Sequence, residues 1–224
     1  QTGGPGGGGR IAIYTDTDSF GGPVSAFGGE GRQGAGAGTI FRKITSESNG
    51  TVTIANDGVA QQWVTPLGDG TLYHLEVADL GRAYLAPRLE LASLDIQTSG
   101  VLSHDPGDKL DFVVLGNATI QDGGEIDVDG MGFVSETGPG AGSYQFSYGS
   151  GAGHGGYGGE GDNNTRGGPP YDSRIEPVEP GSGGGRTFYS SGGAGGGVLR
   201  MEVYGTLLLD GMIKTNGAIG YGGN

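Results

Sequence analysis

Acidic side chains recur in short groups along this chain: Asp16 and Asp18, Asp105 and Asp108, Asp127 and Asp129, and Asp162 beside Asn163 and Asn164. Carboxylates this close, together with turn carbonyls, are donors that Ca2+ accepts when it gathers about six to eight oxygens. None of the groups matches an EF-hand loop or the calcium-binding GGxGxD nonapeptide, so solvated turn aspartates are expected, and a calcium ion is sought first at Asp127 and Asp129. Polysaccharide cleavage needs a convergent acid and base. Its candidates, Asp95, Asp108, Lys109 and Asp111, are at most turn or strand neighbours, and the chain is expected not to be an enzyme. His74, His104 and His154 are too widely spaced to form a ligand pair. The glycine run before Arg10 lacks the Lys-Ser/Thr of a phosphate loop and the strand-to-helix setting of a dinucleotide site. N-glycosylation sequons begin at Asn49, Asn117 and Asn163, which become surface acceptors in a secreted protein. Tyr144, Tyr148, Tyr157 and Tyr171 are the rings available to a glycan or a surface. Thr15 with Thr17, and Thr51 with Thr53, form local Thr-x-Thr rows that do not persist in later segments.

These residues sit in an unusual chain. Glycine makes up 54 of 224 residues, apolar residues only 33%, and the formal charge is −13. Such an acid excess argues against nucleic acid or anionic membrane as partners, since both need clustered Lys and Arg. There is no cysteine, so disulfides contribute nothing. No apolar run approaches the ~18 residues of a membrane-spanning helix. The glycines are clustered between β-branched, alternating, turn-bounded segments such as IAIY, TVTIANDG, LELASLDI, DFVVLGNATI and VLRMEV, which a disordered chain has no reason to keep.

The elements that must position the polar residues are therefore short strands. Arg10 to Thr15, Pro23 to Phe27 and Thr39 to Ile44 read as strands, the last with Ile40, Arg42 and Ile44 on one face. From there a motif recurs in which two apolar residues flank one other residue and glycine follows: Val52 and Ile54, Leu75 and Val77, Leu94 and Ile96, Ala118 and Ile120, and again Leu207 and Leu209. The first four starts are 23, 19 and 24 residues apart, the spacing of a solenoid whose repeats bury their apolar faces by stacking. No helical half follows each strand, and turns such as Asn56-Asp57-Gly58 and Asp122-Gly123-Gly124 supply the left-handed conformations that corners demand. The reading is an all-β, single-stranded parallel β-helix with a long Gly/Tyr/Pro-rich insertion. Residues 1–224 form one unit: a glycine-rich start at 1–38 that continues a preceding unit, regular coils at 39–130, a glycine-rich excursion at 131–197, and a last coil and junction at 198–224. The excursion is either a mobile arm or an ordered set of extended glycine segments that hydrogen-bond laterally, with partial order favoured. Gln1 and Thr2 at one end, and Gly222, Gly223 and Asn224 at the other, read as two halves of one junction. Head-to-tail continuation is expected, through copies of the chain or through adjacent repeats of a longer one.

The series GGPGGGGRIAIYT, GGEGRQGAGAGTIFRK, GTVTIANDG, LASLDIQTSGVLSH, LGNATIQDGGEIDVDGMG and GGAGGGVLRMEVYGTLLLDGMIKTNG resembles the glycine-rich β-helix repeats of large secreted and surface exoproteins of bacteria, adhesin-like proteins, and of extracellular fibres. The resemblance covers nearly the whole chain, with Tyr144 to Arg186 the least similar part. It implies an extracellular structural or adhesive array and no catalytic residues. The leading expectation is a structural subunit of an extracellular filament, and the alternative is an adhesin segment that binds glycans. A polysaccharide-active β-helix enzyme is the third.

Overall fold

Apolar alternation in segments of three to six residues produces strands and no α-helix among the described residues of the computed structural model, 3–19, 21–31, 34–60, 63–68, 70–145 and 147–222. In chain order the strands are β1 (Arg10–Thr15), β2 (Thr39–Ile44), β3 (Gly50–Ala55), β4 (Thr65–Leu67), β5 (Tyr73–Ala78), β6 (Arg82–Leu85), β7 (Leu89–Leu91), β8 (Ser93–Ile96), β9 (Val101–Ser103), β10 (Leu110–Val114), β11 (Ala118–Ile120) and β12 (Glu125–Asp127). Next come the two-residue strands β13 (Tyr144–Gln145), β14 (Tyr148–Gly149) and β15 (Ser190–Ser191), then β16 (Leu199–Val203), β17 (Leu207–Leu209), β18 (Met212–Lys214) and β19 (Tyr221–Gly222). The chain divides into two compact units, one of residues 1–103, 111–127 and 201–213, the other of residues 104–110, 128–200 and 214–224.

The first unit holds three sheets. Their strand orders are β1-β2-β3-β5-β8-β11-β17, β16-β10-β7 and β18-β12-β9-β6-β4. Pairing is mostly parallel, with β2 against β3 the antiparallel exception in the seven-stranded sheet. The repeated sequence motif is the register itself. Val52 pairs with Leu75, Leu75 with Leu94, Leu94 with Ala118, and Ala118 with Leu207. Two residues along, Ile54, Val77, Ile96 and Ile120 stand in line, all completely buried, followed by Leu209. Each aliphatic side chain buried in such a column contributes roughly 1.5–3 kcal/mol relative to exposure.

The corners explain the glycines that follow the motif. A Cβ at Gly81 would run into the Ile54 carbonyl, one at Gly100 into that of Val77, and one at Gly211 into that of Gly124, so main chain from the neighbouring strand excludes a side chain there. Asp57, Asp79, Leu80 and Ser99 adopt left-handed φ beside these corners, as do Gly58 and Gly123. The segment Pro23 to Phe27 is not a strand. Its neighbourhood is held by other means: Gly38 N–H donates to the Ala26 carbonyl at 2.7 Å, and Gly28 N–H to Asn56 Oδ1 at 2.7 Å. Alternation there belongs to a glycine-rich cross-link rather than to a ladder.

The second unit is built largely without strands. Gly181 N–H donates to the Gly196 carbonyl at 2.8 Å, and three residues on, Gly184 N–H donates to that of Gly193 at 2.9 Å. Gly192 and Gly195 abut the Gly184 and Gly181 carbonyls, whereas Gly193 and Gly196 abut those of Ala218 and Thr215. Contacts that recur every third residue and change neighbour with each step are those of threefold, polyproline-II-like extended chains laid side by side. The glycine-rich excursion is thus, over its described residues, a set of extended glycine segments bonded laterally. The antiparallel pieces of this unit are β13 with β14 and β15 with β19.

Candidate functional site

Two surfaces of the first unit combine exposure with chemistry. The first is the outward face of the seven-stranded sheet. Parallel register sets like positions in rows: Arg42, Thr51, His74 and Ser93 form one, and Ile40, Thr53, Glu76, Asp95, Thr119 and Leu208 another. Neighbours in a row satisfy one another. Thr53 Oγ1 donates to Glu76 Oε2 at 3.2 Å and His74 Nδ1 and Ser93 Oγ are 2.7 Å apart, while Gln121 Nε2, from outside the rows, donates to both Asp95 oxygens at 2.8 and 3.1 Å.

Over β1, β2 and β3 this face deepens into a groove of about 730 Å3. Ile13, Ile40 and Ile44 floor it, with Arg42 among them. Arg42 is a half-buried residue, and its side chain has neither ion pair nor hydrogen-bond partner among the described residues. Hydroxyls come from Thr15, Thr17, Ser19 and Thr51, and the charged groups Asp18, Lys43, Glu47 and Glu76 complete the lining. Lys43 Nζ donates to the Ser48 carbonyl at 3.2 Å, so among the described lining residues Arg42 is the cation whose side chain has no partner.

The second surface is the edge of the seven-stranded sheet at β17, its terminal strand. Leu207 and Leu209 occupy the inward columns, yet they are 43% and 45% exposed where their partners Ala118 and Ile120 are fully buried. Leu208 and Met212 add further exposed apolar surface, each at 51%. β4, an edge of the five-stranded sheet, carries Pro66, a residue that cannot donate to a ladder and so discourages addition. β17 has no such device.

The second unit has two polar clusters of its own. His104 is 1% exposed, its Nδ1 bonded to the Asp105 carbonyl at 2.8 Å and its Nε2 without a partner, and burial holds its pKa below the ordinary histidine value. His154 packs against Tyr171 with the two rings tilted by 59°, and it lies 3.7 Å from Asp172 Oδ2. The Tyr171 hydroxyl donates to the Pro180 carbonyl and accepts from Ser182 Oγ at 2.8 Å, and burial raises its pKa.

The residues singled out in the sequence are dispersed. Asp127 ends β12, its carbonyl accepting from Ser103 Oγ at 2.6 Å, while the Asp129 carboxylate accepts from the Asn216 main chain and side chain. No group of three or more His, Asp or Glu side chains suited to a metal occurs among the described residues. Asn49 is half-buried; Asn117 is exposed, but its Oδ1 accepts from Thr206 N–H at 2.9 Å; Asn163 lies in a short 3-10 turn, Asp162–Asn164. Of the junction residues, Gly222 pairs with Ser190 in β19, and Gln1, Thr2, Gly223 and Asn224 lie outside the described residues. Asp95 is held by glutamines and Asp111 lies 3.6 Å from Arg88, so both have structural partners. Of the four tyrosines, Tyr157 is exposed, Tyr148 is partly so, and Tyr144 lies under the Arg186 guanidinium. Sequence reasoning missed Arg42 as a site residue. Its signal was present: a cation in the middle of an Ile-x-Arg-x-Ile face that strand alternation should have kept apolar.

Comparison with protein-family models, curated proteins and solved structures found no match. What the structure itself defines is an all-β chain with mostly parallel sheets and no helix long and apolar enough to cross a membrane among the described residues.

Proposed function

We propose that this chain is a structural unit of an extracellular filament: a parallel β-helix whose coils continue head to tail from one unit to the next. The observation that carries the reading is the edge at β17, where Leu207 and Leu209 stand in register with buried residues and no further strand of the described residues pairs beyond them. Covering one such half-exposed leucine contributes on the order of 1 kcal/mol, and added backbone pairing supplies direction. β1 and β17 are the two ends of the same sheet. Because β2 and β3 are antiparallel while the later strands are parallel, a copy translated along the sheet would lay its β1 antiparallel to β17. That sense brings Arg10, which opens β1, toward Asp210, which follows β17.

Sedimentation velocity over a range of concentrations, with negative-stain microscopy of the same samples, tests the proposal. Association into filaments is expected, with loss of association in the double variant Leu207→Lys, Leu209→Lys. A chain that stays monomeric at high concentration, or a double variant that assembles like the parent, overturns it.

A further inference from the structure

We infer that the groove over β1, β2 and β3 is a binding site for an acidic saccharide, with Arg42 the receptor for its carboxylate. The inference is independent of the filament reading, since it concerns a sheet face rather than a sheet edge.

A guanidinium that lines a groove and has no protein acceptor keeps its donors available to an anionic ligand. Within the sheet Arg42 is flanked by Ile13 on one neighbouring strand and Thr51 on the other, with Ile40 and Ile44 two residues away along its own strand. None of these is an anion, and the carboxylate of the next row, Glu76, is already engaged by Thr53. The fork of an arginine matches a carboxylate with two parallel hydrogen bonds, which a lysine does not reproduce.

The remaining lining selects the rest of the ligand. Threonine and serine hydroxyls both donate and accept, as sugar hydroxyls do, and the isoleucine floor suits the C–H face of a pyranose. The volume of about 730 Å3 falls within the ordinary range of small-molecule sites. Asp18, Glu47 and Glu76 outnumber the cations of the groove, so they disfavour a densely charged anion and leave a place for a single carboxylate, at Arg42. An extended acidic peptide fits less well, because the main chain of β2 and β3 beneath Arg42 is already paired on both sides, and strand addition is open only at the outer edge of β1.

The test is isothermal titration of a trisaccharide carrying a single uronic acid into the intact chain at low salt. Saturable binding is expected, with affinity falling about tenfold or more in Arg42→Gln, partly recovered in Arg42→Lys, and reduced severalfold in Thr51→Val. A neutral trisaccharide should bind about tenfold more weakly than the acidic one. Absence of binding, equal binding by Arg42→Gln, or equal binding of the neutral sugar or of triglutamate overturns the assignment. Should Arg42→Gln fail to fold by circular dichroism, amide shift perturbation in the parent chain decides. Shifts confined away from Arg42, Thr51 and Thr53 refute the site, and filament formation need not occur for any of these readings.

Discussion

Asn56 is completely buried, and its amide is used on three main-chain groups: Nδ2 donates to the Ala35 and Val59 carbonyls at 3.2 and 2.6 Å, and Oδ1 accepts from Gly28 N–H at 2.7 Å. It fastens glycine-rich segments that have no side chains of their own to bury. Asn56→Ala leaves Gly28 N–H and two carbonyls unsatisfied, and a loss of about 3 kcal/mol is expected from denaturant unfolding. His104 yields a second prediction. Burial places its folded-state pKa below 6.5, so the unfolded chain binds the proton first as pH falls. Stability is therefore full above about pH 6.5 and declines from there down to the folded-state pKa, below which this contribution stays lost. His104→Gln should flatten that decline in unfolding midpoints measured between about pH 8 and pH 5.

At the scale of elements, glycine has two separable duties. Gly100 occupies a corner where a Cβ would meet the Val77 carbonyl, and Gly195 a bundle position facing that of Gly181, whereas Gly156 faces open space. Alanine at Gly100 or Gly195 is expected to cost upward of about 2 kcal/mol, and at Gly156 close to nothing, as thermal melts will register. Much of the strand system was legible in advance. Arg10 to Thr15 and Thr39 to Ile44 are strands with the expected bounds, and the 52, 75, 94, 118 series is the pairing register, because period-2 alternation and corner glycines are both local signals. Pro23 to Phe27 misled because alternation cannot distinguish a ladder strand from a chain cross-linked by glycine. The antiparallel turn of β2 onto β3 was also illegible, since parallel and antiparallel partners present the same pattern to one strand. Arg42 was legible only once β1 and β3 had been set beside it, because a groove depends on register across strands.

For the whole molecule, a formal charge of −13 acts against any stacking of copies. Raising ionic strength from about 0.01 M to about 0.15 M shortens the screening length from roughly 30 to 8 Å and should strengthen filament association, visible as a lower critical concentration. Asp210→Arg should weaken assembly further at fixed salt, and Arg10→Asp in the same chain should restore it if β1 and β17 meet as proposed. The laterally bonded glycine segments of residues 131–197 have a consequence for calorimetry. Their order rests on main-chain hydrogen bonds and close backbone contact, with few apolar side chains taken out of water. Heat capacity rises on unfolding chiefly through apolar exposure and falls through polar exposure. That part of the chain should therefore melt with a heat-capacity increment well below the usual ~12–15 cal/mol/K per residue, and its stability should vary with temperature along a nearly straight line rather than a dome.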